Sequence, residues 1–302
     1  MSDVTTNGYG YNNPAGFNPF FERLLPATLP GALTSYLQYV QERVATLKPT
    51  FFTNWLGNND VLSYATAGGA DPTSVLTPVA DFTTKYKQVL AVLTSGGAKG
   101  VVATIPNVNN LPIFTTVKAA AVKAAIRSNT ALPNAAAASL YIRTGAGTVR
   151  EATDADYILL TAQAVIGTPT PGVALPVGIG YSATLANPLP SQYVLDTDEA
   201  AAVVARTTEL NTVIRGEATA RGLALFDANV YFQGIAASGL VTNGVSNTTG
   251  FITGNLFSLD GVHPTSRGYA LVANEIIKAI NAQYGASVPQ VNPNNYSGVL
   301  LP

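Results

Sequence analysis

The sequence predicts an α/β fold of three layers, in which helices cover both faces of a parallel sheet. Three times, an amphipathic helical pattern is followed by a short breaker and then by a compact apolar run. That alternation is typical of parallel α/β sheets. The length of 302 residues is enough for one large domain, and the sequence contains no internal repeat. We therefore expect a single domain over residues 1–302.

The first two helix and strand units lie in the amino-terminal half. The first consists of a helix over Thr34 to Leu47 and a buried strand over Thr50 to Leu56. The second opens at Thr77-Pro78, which suits an N-cap followed by the first helical residue, and its strand runs from Val101 to Ile105. Its helix should turn one apolar face to the core. That face consists of Phe82, Tyr86, Val89 and Leu93.

The third unit and a closing helix lie in the carboxyl-terminal half. The third helix begins at Asp196, with Glu199 three residues later as in a capping box, and leads to a strand over Leu223 to Phe226. A last helix over Ser266 to Tyr284 closes the domain, and residues 285–302 are predicted to form an extended arm. The residues expected to face the core are Val203, Leu210 and Ile214 on the third helix, and Tyr269, Val272, Ile276 and Ile280 on the last.

A long insertion, residues 128–195, separates the second and third units. It is rich in Ala, Pro and Gly, with a helical pattern over Thr153 to Ile166. Insertions of this length inside a domain are often caps or binding elements, and the alternative is a packed decoration of the fold. The apolar side chains of the insertion would then either line an acyl or lipid pocket or pack its interior. They are Tyr157, Ile158, Leu160, Val165 and Ile166.

The composition excludes several classes of protein. The net charge is -1 and no run of Lys or Arg is present, so the sequence has no basis for binding nucleic acid through phosphate contacts. The absence of cysteine removes thiol nucleophiles and disulfides, and one histidine without cysteine cannot form the usual metal site. No apolar run reaches 18 residues, so we expect no membrane span. The first ten residues also lack a signal-peptide pattern.

Two short motifs follow or precede the predicted elements at places where function is expected. Gly57-Asn58-Asn59-Asp60 comes directly after the first strand, at the edge of the sheet where ligands bind. Such a run is in other proteins often a plain turn. Asp260-Gly261-Val262-His263 comes directly before the last helix, and His263 is the only histidine of the chain. The second motif can also be an ordinary turn that caps a helix.

Asp260 and His263 nevertheless have the residue types and the spacing of a catalytic pair. A Gly-containing turn can bring a carboxylate three residues earlier in the sequence to the imidazole. An ionised Asp that binds one ring nitrogen fixes the tautomer and stabilises the imidazolium, and the other nitrogen is then free to act as a general base. The motif thus contains two of the three members of a catalytic triad.

Together, the two motifs resemble the SGNH/GDSL hydrolases, in which Gly-x-Asn-Asp follows a central strand and Asp-x-x-His precedes the last helix. The resemblance covers roughly residues 49–283, and the phrases PTFFTNWLGNNDVL and SLDGVHPTSRGYALVANEII look like those of bacterial members. It implies a flavodoxin-like arrangement of the three layers and no cofactor or metal. It also implies that Asn59 donates to the oxyanion, Gly57 allows a close turn, Asp260 orients His263 and His263 activates a serine.

The nucleophile itself is not identified in this sequence. The family carries a Gly-Asp-Ser block after its first strand, and no serine here follows Gly-Asp. Ser182 and Ser2 are poor candidates, because neither follows a predicted strand. We therefore expect a truncated chain that lacks the first strands of the fold. The strand over Thr50 to Leu56 would then be an exposed sheet edge through which the chain self-associates.

These observations leave two functions open. The resemblance implies a serine ester hydrolase, of the esterase or lipase type, that acts on a small-molecule or lipid ester through an acyl-enzyme. The missing nucleophile favours instead a noncatalytic module that binds lipid or carbohydrate. For a full-length hydrolase we expect a secreted, periplasmic or cell-envelope location. A flavodoxin-like binding domain unrelated to hydrolysis is not favoured, because no Gly-rich phosphate loop follows a strand.

Overall fold

A computed structural model of the chain describes Leu24 and residues 34–299. Within these residues, a small parallel sheet is flanked by helices, as the sequence predicts, and residues 128–195 add short antiparallel strands. No helix in this part of the chain is both long enough and apolar enough to cross a membrane. The amino-terminal segment that includes Ser2 lies outside the described residues.

The helices and strands of the described residues have the following bounds. The α-helices are α1 (Tyr36–Leu47), α2 (Asn59–Thr66), α3 (Val79–Thr94), α4 (Pro112–Thr115), α5 (Ala119–Arg127), α6 (Thr197–Ala220), α7 (Ala228–Ser238) and α8 (Ser266–Tyr284). The strands are β1 (Phe51–Asn54), β2 (Lys99–Ala103), β3 (Ser139–Arg143), β4 (Val149–Glu151), β5 (Tyr157–Ile158), β6 (Ile179–Ser182), β7 (Leu185–Asn187), β8 (Val194–Leu195), β9 (Ala224–Phe226), β10 (Leu240–Thr242) and β11 (Val245–Asn247).

The parallel sheet has the strand order β1-β2-β9, so each predicted strand is present. β2 lies two residues earlier than the predicted Val101 to Ile105. The reason is a buried side chain of α6, Asn211, which forms hydrogen bonds with both backbone groups of Ile105. Its Oδ1 accepts from the N–H of Ile105 at 2.7 Å, and its Nδ2 donates to the carbonyl at 2.8 Å. Ile105 is thereby removed from the strand ladder.

Of the two predicted helix caps, one is confirmed and one is wrong. Asp196 is the N-cap of α6, and the reciprocal hydrogen bond from its backbone N–H to the Glu199 carboxylate completes the predicted capping box. At the start of α3, the N-cap is Pro78 and not Thr77, so the predicted assignment is wrong by one position. Thr77 is buried instead, and its N–H donates to the carbonyl of Asp60.

The main core lies between the sheet and its helices and contains the predicted residues of α3 and α6. On α3, Phe82, Tyr86 and Val89 are buried, and Leu93 is partly buried against the core. On α6, Val203, Leu210 and Ile214 are buried in the same core. On α8, Val272 is buried and Ile276 and Ile280 pack partly against the core, but the prediction for Tyr269 is wrong.

Tyr269 is half exposed because its neighbour Gly268 faces the interior of the protein. A Cβ at Gly268 would collide with the carbonyl oxygen of Leu256, so only glycine lets α8 approach this closely. Successive helical residues are turned by about 100°, which carries Tyr269 away from the contact. Leu271 and Val272 return to the buried face.

The insertion forms short antiparallel strands whose apolar side chains share a second core with Val117, Ala119 and Ile126 of the preceding segment. β3, β4, β6 and β7 pair in the order β4-β3-β6-β7, and β5 pairs with β8. The second core also includes Leu140, Ile142, Ile158, Ile179 and Leu189. Tyr157 packs against the main core, Leu160 against both cores, and Val165 and Ile166 against the second. The apolar side chains named in the sequence analysis therefore pack the interior.

The helix predicted over Thr153 to Ile166 is not formed. This segment contains β5 and a 3₁₀ helix over Leu160–Ala164. The reason lies at Asp156, whose carboxylate accepts hydrogen bonds from the backbone and hydroxyl of Thr153 and a bidentate pair from Arg150. These bonds hold residues 153–156 in a turn, and Ile158 then pairs with Val194.

The carboxyl-terminal arm packs along α8 in its described part, to residue 299. Asn274 exchanges two hydrogen bonds with the backbone of Val291, at 2.8 and 2.9 Å, and the N–H of Arg267 donates to the carbonyl of Ser297. At the other end of α8, the hydroxyl of Tyr284 bonds to the backbone of Gly100 at the start of β2. These contacts hold α8, and with it the segment before α8, against the sheet.

Candidate active site

The candidate site lies beyond the carboxyl ends of the parallel strands. β1 leads into the Gly57 to Asp60 motif, and β2 leads through Ile105 to the short helix α4. The Asp260 to His263 motif lies in the loop before α8 and contacts the segment that follows β2. This is the edge of an open parallel sheet at which ligands ordinarily bind.

Gly57 occupies a position that only glycine can fill. Its φ is +119°, and a Cβ there would lie 2.8 Å from Cδ1 of Ile105. The carbonyl of Gly57 then accepts from the N–H of Asp60 at 3.0 Å as the chain turns into α2. Gly57 therefore permits a tight turn at the end of β1 and close contact with the chain that follows β2.

Asn59 is the first residue of α2 and is exposed. Its neighbours are turned inward, since Asp60 is buried and Asn58 directs its side-chain amide to the carbonyl of Trp55 at 3.4 Å. Within the described residues, the Asn59 side chain forms no hydrogen bond, so its amide is available to a ligand. The position at a helix start places it beside backbone N–H groups that favour negative charge.

Asp260 is the centre of a hydrogen-bond network within one loop. Its Oδ2 lies 2.6 Å from Nδ1 of His263. Its Oδ1 accepts from the N–H groups of Val262 and His263, at 2.8 and 2.9 Å, and from the hydroxyl of Ser258 at 2.7 Å. Partial burial raises the pKa of Asp260, but the hydrogen bonds from Val262, His263 and Ser258 outweigh it and hold that pKa well below its usual value. The carboxylate is therefore ionised.

His263 presents its second ring nitrogen to solvent. Nδ1 is engaged by Asp260, and 63% of the side chain is exposed. The start of α8 fixes the backbone that follows, because Thr265 is its N-cap and also donates its hydroxyl proton to the carbonyl of Asn255 at 2.7 Å. Among the described residues, no hydrogen bond engages Nε2, which is therefore available for proton transfer to or from a bound molecule.

The two motifs are anchored on the same segment of the chain. Gly57 contacts Ile105 directly after β2, and Gly261 contacts Ile113 eight residues later. Gly261 has φ +71°, and a Cβ there would lie 2.9 Å from the backbone nitrogen of Ile113. The structure therefore brings Asp260 and His263 into direct contact, and it connects both motifs to residues 105–113.

Sequence reasoning missed two participants in this arrangement. Ser258 had a signal, since a hydroxyl two residues before an Asp can reach its carboxylate. Ile113 had none, because its contribution is a backbone N–H. Among the serines considered as nucleophiles, Ser182 is the exposed last residue of β6, and its hydroxyl bonds to Thr184 in the turn that follows.

A second polar region lies where the insertion meets the main core. A cavity of about 730 Å³ there is lined by residues that include Tyr64, Arg150, Asp196 and Glu199. The pKa of Glu199 is raised to about 7. Burial is the largest cause, and the negative charges of Asp196, Asp156 and Asp198 raise the pKa further, whereas the hydrogen bond from the N–H of Asp196 lowers it. Among the described residues, no group of three or more His, Cys, Asp or Glu side chains is arranged to hold a metal ion.

Comparison with known proteins places the sequence in a family. The sequence model of the family described as GDSL-like lipase/acylhydrolase matches residues 10–276. No individual curated protein matches the chain. The family match spans most of the chain and includes both motifs of the candidate site. The chain therefore belongs to the GDSL-like lipase/acylhydrolase family.

Proposed function

We propose that the chain carries the base and the oxyanion donor of a serine ester hydrolase that acts through an acyl-enzyme. The observation that supports this most directly is the pair of Asp260 and His263, in which Nδ1 is bound by an ionised carboxylate and Nε2 faces solvent. Family membership supports acyl transfer as the chemistry.

In the proposed reaction, a serine hydroxyl attacks the ester carbonyl while His263 takes its proton. His263 then gives the proton to the leaving alcohol, and a water molecule activated by His263 releases the acid from the acyl-enzyme. Asp260 stabilises the imidazolium, and the side-chain amide of Asn59 donates to the oxyanion. Gly57 keeps the turn before Asn59 tight.

The serine remains to be assigned. No serine of the sequence follows Gly-Asp, and Ser182 is the last residue of β6, a strand of the insertion. We therefore infer that this polypeptide alone is inactive or nearly so, and that His263 acts once a serine reaches its Nε2. The substrate class we propose is a small-molecule or lipid ester.

Fluorophosphonate labelling of the purified chain tests the inference of inactivity. We expect no labelling above the level of the His263→Ala variant. Strong labelling that is lost in His263→Ala would overturn the inference, and mass spectrometry of the labelled protein would then identify the serine.

The hydrolase proposal itself is tested by nitrogen NMR of the single imidazole. A neutral ring protonated mainly at Nε2 would contradict the hydrolase proposal. Such a ring has no proton on Nδ1 to donate to Asp260, and its Nε2 could not accept the proton of a serine.

The second candidate is a noncatalytic module that binds lipid or carbohydrate, and it is favoured because no serine of this sequence follows Gly-Asp. The two candidates differ in what His263 contributes. Binding of phospholipid vesicles or acetylated oligosaccharides that persists unchanged in His263→Ala would favour the module. Ester turnover that this variant abolishes would exclude it.

The position of β1 supports a further proposal, that the chain self-associates through this strand. Within the described residues β1 pairs only with β2, and it is the outer strand of the sheet. Phe51 and Thr53 on this strand are exposed. An outer strand with exposed apolar residues is a template for pairing with another chain.

A further inference from the structure

We propose that Ser258 is a positioning residue for the pair of Asp260 and His263. Its hydroxyl holds the Asp260 carboxylate in the orientation that binds Nδ1 of His263. This inference rests on the proposed function for its catalytic meaning, but the contact itself can be measured without any activity.

The two oxygens of the Asp260 carboxylate have separate partners. Oδ2 binds the His263 ring, while Oδ1 accepts three hydrogen bonds. Two of these come from the N–H groups of Val262 and His263, which any Asp in this turn would receive. The third comes from the side-chain hydroxyl of Ser258, the residue whose carbonyl accepts the N–H of Gly261 and so closes the turn.

Ser258 is itself fixed relative to His263. Its backbone N–H donates to the carbonyl oxygen of His263 at 2.8 Å, while its hydroxyl donates to Asp260 at 2.7 Å. Ser258 therefore closes the loop at both ends, since it touches the backbone of the base and the carboxylate that orients the base. Rotation of the carboxylate away from His263 would break the bond to the hydroxyl.

The exposure of the pair makes such a restraint necessary. Half of the Asp260 side chain and most of the His263 side chain are exposed, so water competes for every acceptor position on the carboxylate. A hydrogen bond between neighbouring groups in the same loop keeps the carboxylate oriented where burial does not. Hydrogen bonds to the charged form also keep Asp260 ionised.

The test compares variants that differ by the hydroxyl alone. Ser258→Ala removes it and Ser258→Thr keeps it, while Ser258→Val has the shape of the Thr variant without its hydroxyl. Ser95→Ala is the matched control, because Ser95 is an exposed serine at the end of α3 whose hydroxyl bonds only to its own helix. If Ser258→Ala does not fold, the Thr and Val pair decides.

The primary readout is NMR of the single histidine at a pH where its ring is neutral. We expect the fraction of ring protonated at Nδ1 to fall, and the Nδ1 proton to exchange faster with water, in Ser258→Ala and Ser258→Val. Ser258→Thr and Ser95→Ala should retain the wild-type signals. Identical Nδ1 signals in all variants would overturn the inference.

In an active preparation, Ser258→Ala should lower kcat about 3- to 30-fold with little change in KM, as expected for loss of one hydrogen bond to a charged group near solvent. The two proposals can fail separately. Altered Nδ1 signals with no ester hydrolysis in any preparation would support the role of Ser258 and count against the hydrolase. Normal hydrolysis with unchanged Nδ1 signals would support the hydrolase and count against the role of Ser258.

Discussion

The backbone N–H of Ile113 donates to the carbonyl oxygen of Gly261 at 3.1 Å. This bond attaches the loop that carries Asp260 and His263 to the segment that follows β2. The same segment contacts Gly57 through Ile105. The positions of the base and of the proposed oxyanion donor thus depend on one stretch of chain that contributes no catalytic side chain.

Gly261→Ala should disrupt this attachment. The left-handed backbone at Gly261 disfavours alanine by about 1 to 2 kcal/mol, and the added Cβ would also press on the backbone of Ile113. We expect loss of the His263 Nδ1–H signal as well as a lower melting temperature. Gly172→Ala is the control, since Gly172 has φ +76° with nothing within 4 Å of an added Cβ. Equal effects of the two variants would show that the Ile113 contact is unimportant.

In a preparation in which a serine reaches His263 and esters are hydrolysed, Asn59→Ala should lower kcat about 100- to 1000-fold, because one oxyanion donor is lost. KM and the melting temperature should change little, since the Asn59 side chain is exposed. Asn58→Ala is the neighbouring control, because its amide is turned to Trp55. Steady-state ester hydrolysis by both variants distinguishes them, and an unchanged kcat in Asn59→Ala would remove Asn59 from the site.

Glu199 should make the stability of the protein depend on pH. Glu199 is buried, with 8% of the residue exposed, and its pKa is raised from 4.5 to about 7 in the folded state. The folded state therefore holds the proton more tightly than the unfolded chain. The stabilisation is complete below pH 4.5 and is lost as the pH rises through about 7. Relative to Glu199→Gln, the wild type should lose about 1 to 3 kcal/mol over this window.

Urea unfolding of both proteins at several pH values measures this difference. Glu209→Gln, on the same helix α6, corrects for the change in net charge, because Glu209 is exposed and pairs with Arg206. A difference between wild type and Glu199→Gln that stays constant from pH 4 to 8 would contradict the prediction.

Asn211→Leu should destabilise the protein by about 1 to 3 kcal/mol, because the buried N–H of Ile105 loses its acceptor. Asn229→Ala should cost less. Its Nδ2 is only one of two donors to the carbonyl of Ile105, and Asn211 supplies the other. Equilibrium unfolding in urea gives both values. A cost for Asn229→Ala that equals or exceeds that for Asn211→Leu would be inconsistent with this assignment.

Self-association through β1 should depend on concentration and on Phe51. Phe51→Lys places a charge on the outer strand and should shift the protein towards monomer in size-exclusion chromatography. Leu47→Lys is the control, because Leu47 is the more exposed side chain but lies at the end of α1. A wild-type protein that elutes as a stable, monodisperse monomer at all concentrations would refute the proposal.

Local patterns in the sequence were sufficient for four helices, α1, α3, α6 and α8, and for the contact between Asp260 and His263, but not for α2, α4, α5 and α7. The capping box of Asp196 and Glu199 and the three parallel strands follow from spacing alone. Contacts distant in sequence were not predictable. The exposure of Tyr269 depends on the approach of Gly268 to Leu256, and residues 157–158 form a strand because they pair with β8 at the far end of the insertion.

The existence of a second core, formed mainly by the insertion, has a consequence for how such a protein can diverge. Changes at Leu140, Ile142 or Ile179 alter packing that the parallel strands do not share. The part of the surface contributed by residues 128–195 can therefore be rebuilt over evolutionary time while Gly57, Asp260 and His263 stay where they are. Under the proposed function, such rebuilding would leave the base and its carboxylate unchanged.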